Sequence, residues 1–151
     1  ATVRIARMLG ATVSGSCSPD AMQRAQAFGL KSIFDYRTTD LSKIGDRFDV
    51  VYDTAGTMPT AVGLGLANEN GVFLDIDPTP GKFIRSVFNR RLKPIVCTPR
   101  VDILDGLARA AKEGMYRLPV AVTVPLSEAI RLIAALEAGR KLNGKGLVVM
   151  E

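Results

Sequence analysis

Three short stretches of this 151-residue chain hold residue types that could do chemistry. Ser16, Cys17 and Ser18 set two hydroxyls and a thiol in a row, uncharged and rich in hydrogen-bond donors. Thr54, Ala55 and Gly56 break a β-branched run, FDVVYD. Asp53, Asp75 and Asp77 are acids beside apolar runs, but no spacing among them pairs two carboxylates for general acid–base work. The chain has no histidine, which removes a Ser-His-Asp triad, an imidazole base and a histidine-based zinc site. Cys17 and Cys97 lack a CxxC spacing and are too few for a four-cysteine zinc lobe. They predict free thiols, no metal site and a reducing, cytoplasmic setting.

The elements that must position these residues follow from periodicity and turn chemistry. Residues 11–16 are small and extended-tolerant and predict a short strand, with the serines at its end. Ser18 is placed to cap a helix that opens with Pro19 at its first position. Ala21, Ala25 and Phe28 line one face of that helix, and Gly29 closes it. In a nucleotide-binding βαβ fold the tip of the second strand meets the adenosine ribose. An acid there would accept from the 2′-hydroxyl of NAD and repel the 2′-phosphate of NADP. If this stretch is such a site, its uncharged Ser16–Ser18 tip favours NADP(H).

Before that unit, residues 1–9 form an amphipathic helix ending at Gly10. After it come strands over residues 32–36, 48–53 and 72–76, the last preceded by a turn at residues 68–71. Residues 41–44 allow one helical turn, and residues 59–67 a helix whose Gly63 and Gly65 imply close packing. A loop with Pro78 and Pro80 leads to a helix over residues 82–89. Residues 94–98 read as a strand bracketed by prolines, hence an edge strand. Helices over residues 101–113 and from a Ser127 cap alternate with strands over residues 119–124 and 146–150. Such alternation predicts an α/β fold with a mostly parallel sheet.

Composition narrows the partners. No apolar run approaches a membrane span of ~18 residues, and no signal peptide is read at the start. The net charge of +5 suits an anionic ligand, and also nucleic acid. The basic residues are scattered, apart from Arg90, Arg91 and Lys93, and aromatic residues are only 6% of the chain, too sparse for a base-stacking surface. A small anionic ligand is the better reading, with no nucleic-acid or membrane partner.

The order ATVSGSCSPD…FG, FDYR, FDVVYDTAG, GVFLDI and VPLSEAIRLIAALEAGRKLNGKGLVVM resembles the medium-chain dehydrogenase/reductase superfamily. It is most similar to the zinc-independent NADPH quinone reductases and enoyl reductases. The resemblance runs nearly end to end, and the string of motifs carries it rather than any one of them. Family members have a first strand and a glycine-rich loop immediately before a helix similar to TVRIARMLG. The resemblance thus implies a Rossmann-like sheet whose first strand and glycine loop are absent from this chain, with an unfilled lane between residues 11–16 and 48–53. It also implies a division into residues 1–116, a partial dinucleotide-binding domain, and residues 117–151, a strand-helix-strand returning to the substrate domain.

The activity implied is hydride transfer from NADPH to a quinone, an enone or another activated double bond, with the chemistry supplied by the cofactor. The cofactor-binding positions implied are Ser16, Cys17 and Ser18, Tyr36 at the adenosine end, Thr54, Ala55 and Gly56 where the cofactor crosses the sheet, Leu74, Asp75 and Ile76 near the nicotinamide, and Asn143 before the final strand. The family's basic residue early in the second helix is replaced by Met22 or Gln23, with Arg24 next along. No catalytic acid or base is identified. A homodimer through the edge strand Lys93 to Pro99 is implied as well, with a small-molecule substrate. A methyltransferase-like domain is the alternative enzyme class, disfavoured by the missing acid at the strand-two tip. A short-chain reductase lacks its Tyr-x-x-x-Lys pair, and a nucleotide-binding fragment without turnover is the non-enzymatic alternative.

Overall fold

The structure is a computed structural model that describes residues 2–115, 117 and 119–150. It holds α1 (Thr2–Met8), β1 (Gly15–Cys17), α2 (Pro19–Ala27), β2 (Ile33–Asp35), β3 (Phe48–Asp53), α3 (Thr60–Leu66), β4 (Ala67–Asp75), α4 (Pro80–Phe88), β5 (Leu92–Pro94), α5 (Val101–Lys112), β6 (Val120–Pro125), α6 (Ala129–Glu137) and β7 (Lys145–Val149). Every ladder among the described residues is parallel, with helices in the crossovers, so the fold is α/β as the alternation predicts and Rossmann-like as the resemblance implies. Two compact units are formed, one by residues 12–100 and one by residues 1–11 with 101–151. The division expected after residue 116 falls beside a residue outside those described. Among the described residues no helix is long and apolar enough to cross a membrane.

In the unit of residues 12–100, β1 pairs with β2 and, separately, β3, β4 and β5 form a sheet in that order. No ladder joins β1 to β3 among the described residues. The core lies on one face of the three-stranded sheet, where Val51, Leu66, Ala67, Phe73 and Leu92 are buried together. Gly63 makes that packing possible: a Cβ there would lie 2.5 Å from the Phe73 ring. The opposite face leaves Val50 and Tyr52 exposed, as the period-2 alternation of a strand covered on one side requires.

Several sequence expectations are corrected. The strand expected over residues 11–16 is only Gly15–Cys17, although a bond from Lys31 N to Val13 O (2.8 Å) continues the pairing beyond it. The turn expected at residues 68–71 is the bulged start of β4, where Phe48 pairs with Ala67 and the register then shifts. Gly71 fits there because a Cβ would strike Phe48 O at 2.6 Å. The edge strand expected over residues 94–98 is instead Leu92–Pro94. β4 ends at Asp75, so past the bond from Ile95 N to Asp75 O (2.8 Å) there is no partner left to hold Val96 and Cys97 in a ladder. β5 nonetheless lies at an edge of its sheet. Arg91, read as part of a basic cluster, is committed internally. Its Nη2 donates to the carbonyls of Leu64, Ala67 and Asn68 (3.0, 2.8 and 2.7 Å) and its Nε to that of Gly71 (3.2 Å), supplying donors to the end of α3.

In the other unit, β6, α6 and β7 form a parallel strand-helix-strand. The cap expected at Ser127 is absent. Leu126–Glu128 form a 3-10 turn and Glu128 takes the cap position of α6 without a side-chain bond.

Candidate functional site

The C-terminal ends of parallel strands are where this kind of fold builds its sites. Asp53 and Asp75 end β3 and β4 as register partners. Both are buried, and Asp75 is 0% exposed. Carboxylates in such positions must be satisfied. Asp53 Oδ1 accepts from the amides of Ala55 (2.9 Å) and Gly56 (3.0 Å), and Oδ2 from that of Met58 (2.7 Å). The turn of Thr54, Ala55 and Gly56 is therefore wrapped around a carboxylate. Gly56 has φ +70°, and a Cβ there would sit 3.1 Å from Asp77 Cβ, so this turn packs closely on the loop after β4.

Asp75 organises that second loop. Its Oδ1 accepts from Asp77 N (2.9 Å). Its Oδ2 lies 2.8 Å from Lys82 Nζ, within ion-pair reach but without a hydrogen bond of good geometry. Lys82 Nζ also donates to Asp77 Oδ2 at 3.1 Å. The lysine sits in the first turn of α4, whose cap Thr79 accepts from Lys82 N. The Asp75 carboxylate is the main cause holding the Lys82 pKa above its ordinary value; burial opposes it and Asp77 adds to it. Sequence reasoning missed Lys82. The signal available was an amphipathic helix whose lysine lies opposite its apolar residues, but nothing showed that the lysine faces inward.

At the end of β1, Ser16 is exposed while Cys17 and Ser18 are half-buried. Ser18 takes the extended cap conformation expected, but its hydroxyl makes no capping bond to α2. Cys17 pairs in register with Asp35, an acid one strand away that the reading of the tip did not include. The Cys17 thiol pKa is raised, chiefly by burial and then by Asp35, with Arg24 of α2 pulling it down. Tyr36 is exposed and its amide reaches Cys17 O at 3.4 Å, so Tyr36 and the tip belong to one edge.

The predicted positions thus gather into two groups in one unit. Ser16, Cys17, Ser18 and Tyr36 lie at the β1–β2 edge, and Thr54, Ala55, Gly56, Leu74, Asp75 and Ile76 at the β3–β4 edge. The Asp75 side chain faces inward, leaving Ile76 as the partly exposed apolar residue of its loop. Asn143 is exposed before β7, in the other unit.

The family model described as zinc-binding dehydrogenase matches residues 28–148. The chain is 25% identical over 137 residues to the chloroplast envelope quinone oxidoreductase homolog of Arabidopsis thaliana, covering 84% of this chain and 42% of that protein. It superposes on the quinone oxidoreductase from Coxiella burnetii with a TM-score of 0.73 at 23% identity, covering 98% of this chain and 47% of that one. A mycobacterial protein solved in complex with NADPH gives a TM-score of 0.62 at 17% identity, with 98% and 51% covered. The chain spans about half the length of these proteins. The family's zinc does not fit these residues: the chain has no histidine, and no three Cys, Asp or Glu side chains among the described residues gather as ligands. With the match extending over most of its length, the chain belongs to the zinc-binding dehydrogenase family of the medium-chain dehydrogenase/reductases and corresponds to a C-terminal portion of such proteins.

Proposed function

We propose that the chain is the NADPH-binding part of an oxidoreductase that delivers hydride to a quinone, an enone or another activated double bond. The observation that carries this is the β1 tip: Ser16, Cys17 and Ser18 are uncharged and accessible, and the Ser18 hydroxyl is not spent on capping α2. These residues with Tyr36 would hold the adenosine end, with Arg24 close enough to influence Cys17. Thr54, Ala55 and Gly56 would lie where the cofactor crosses the sheet edge, with the backbone of Leu74, Asp75 and Ile76 near the nicotinamide; Asn143, in the other unit, is proposed separately as a cofactor-binding position. Residues 1–116 are assigned to dinucleotide binding and 117–151 to the substrate domain. When bound, the cofactor supplies the hydride. The chain's contribution is to orient it and to keep Asp53 and Asp75 turned away from it. Residues 93–99, which begin in β5 at the edge of its sheet, are the proposed homodimer contact, and the free thiols of Cys17 and Cys97 suit a reducing, cytoplasmic compartment.

The test is titration of the protein with NADPH and NADH, followed by quinone reduction monitored through loss of nicotinamide absorbance. NADPH should bind at least about tenfold tighter than NADH. Ser18→Asp should erase that difference by setting a carboxylate against the 2′-phosphate. Equal affinity for both cofactors in the unmodified protein overturns the NADPH assignment.

A further inference from the structure

We propose that Lys82 is a positioning residue whose ammonium ties the first turn of α4 to the end of β4 and thereby sets the path of Ile76 and Asp77 along the nicotinamide. This rests on the reading of the chain as a nicotinamide-dinucleotide binder.

The loop from Asp75 to Lys82 carries a closed circuit of bonds. Asp77 N donates to Asp75 Oδ1 (2.9 Å), Thr79 N to Asp77 O (3.0 Å), and Lys82 N to Thr79 O (3.0 Å). Lys82 Nζ closes the circuit on both carboxylates, at 2.8 Å from Asp75 and 3.1 Å from Asp77. The three charges differ in their exposure. The Asp75 side chain is fully buried, that of Lys82 is 19% exposed, and that of Asp77 is 53% exposed. A buried carboxylate strongly holds its counter-charge, because losing the partner would leave an uncompensated ion. Asp75 therefore fixes the ammonium, and the ammonium fixes Asp77. Asp77 Cβ in turn abuts Gly56, so the lysine sets the spacing between the loops that follow β3 and β4. Pro78 and Pro80 stiffen the same segment by locking φ. Between those prolines and the strand end, Ile76 is left as the apolar residue facing outward. Lys82 does not itself need to touch the cofactor. Its effect is confined to the end of the dinucleotide that lies over this loop.

That confinement gives the test. Lys82→Met, which keeps the aliphatic stem, and Lys82→Arg, which keeps the charge, are compared with the unmodified protein for binding of two ligands. One is NADPH, and the other is 2′-phospho-ADP-ribose, which carries the same adenosine end but no nicotinamide. Amide hydrogen exchange at Asp77 is followed without ligand. Lys82→Met should weaken NADPH by about tenfold, leave 2′-phospho-ADP-ribose unchanged, and speed Asp77 exchange by about tenfold. Lys82→Arg should restore all three readings. Asp77→Asn, which spares the buried pair, should move them in the same direction by less, and keeps the test open if Lys82→Met does not fold. Equal losses for both ligands would make Lys82 a general strut and overturn the proposal, as would unchanged NADPH affinity. If the unmodified protein binds neither ligand, the dinucleotide reading fails, and the nicotinamide role with it. Asp77 exchange then separately establishes or refutes the clamp.

Discussion

The ends of β1 and of β3–β4 are built from opposite materials. At β1 the side chains are neutral, partly open, and free of the capping bond expected of Ser18. At β3 and β4 two carboxylates are buried as register partners; Asp53 accepts from three backbone amides of the loop that follows it and Asp75 from one. An acid at a strand end is usually inspected as a ligand group. Asp53 and Asp75 show the other use, as internal anchors that shape the loops a ligand would meet. The neutral edge is the one left with donors to offer.

Breaking the anchored edge should have the largest effect. Asp53→Ala removes the buried acceptor of three amides, Ala55, Gly56 and Met58. Unsatisfied groups of this kind cost about 1–3 kcal/mol each, with water recovering part of the loss, so a net destabilisation of about 3 kcal/mol is expected. Urea denaturation of the variant beside the unmodified protein measures it. Ser18→Ala should lie within about 0.5 kcal/mol of the unmodified protein, because no capping bond is lost. Comparable losses at the two edges would remove the distinction between them.

The anchored edge should also respond to alkali. The Lys82 pKa is raised in the fold above its ordinary 10.5, through Asp75 first and Asp77 less strongly. Unfolding lowers that pKa, so the unfolded chain releases its proton first as pH rises. The stability due to Lys82 is fully present below 10.5 and is lost as pH climbs through the folded value. Stability measured against pH should fall in that alkaline range, and Lys82→Met should flatten that part of the fall. A variant with the same alkaline profile would show that the ion pair contributes nothing to this edge.

How much of this was legible follows from how local each feature is. Phe48–Asp53 was read residue for residue, because a β-branched run bounded by turn residues declares itself. Its end at Thr54, Ala55 and Gly56 was equally plain, but not that the Asp53 side chain ties the turn together. β5 was displaced because its extent is set by where β4 ends, a fact held in another segment. Arg91 reaches carbonyls at Leu64, Ala67, Asn68 and Gly71, contacts that no local pattern encodes. Asp35 was passed over for a related reason: it is near Cys17 only through the β1–β2 register.

That omission sharpens the question of what charge the neutral edge presents to a 2′-phosphate. The Cys17 thiol lies where the answer can be measured, since its pKa responds to the local potential. Burial is the largest cause raising it, and neither substitution below removes that contribution. Asp35 raises it further and Arg24 lowers it. Alkylation by iodoacetamide, read at Cys17 by peptide mass across a pH series, should therefore have its midpoint above the ordinary thiol value of 9.0. Asp35→Asn should move that midpoint down and Arg24→Ala should move it up, both modestly because solvent screens charges at a half-exposed position. The same pair of substitutions carries a cofactor signature. On the proposed NADPH reading, removing the Asp35 charge should favour NADPH over NADH, and removing the Arg24 charge should disfavour it. A thiol that shifts as described while cofactor preference stays fixed would place the 2′-phosphate beyond the reach of these charges, and the proposed NADPH preference would then rest on Ser16 and Ser18 alone.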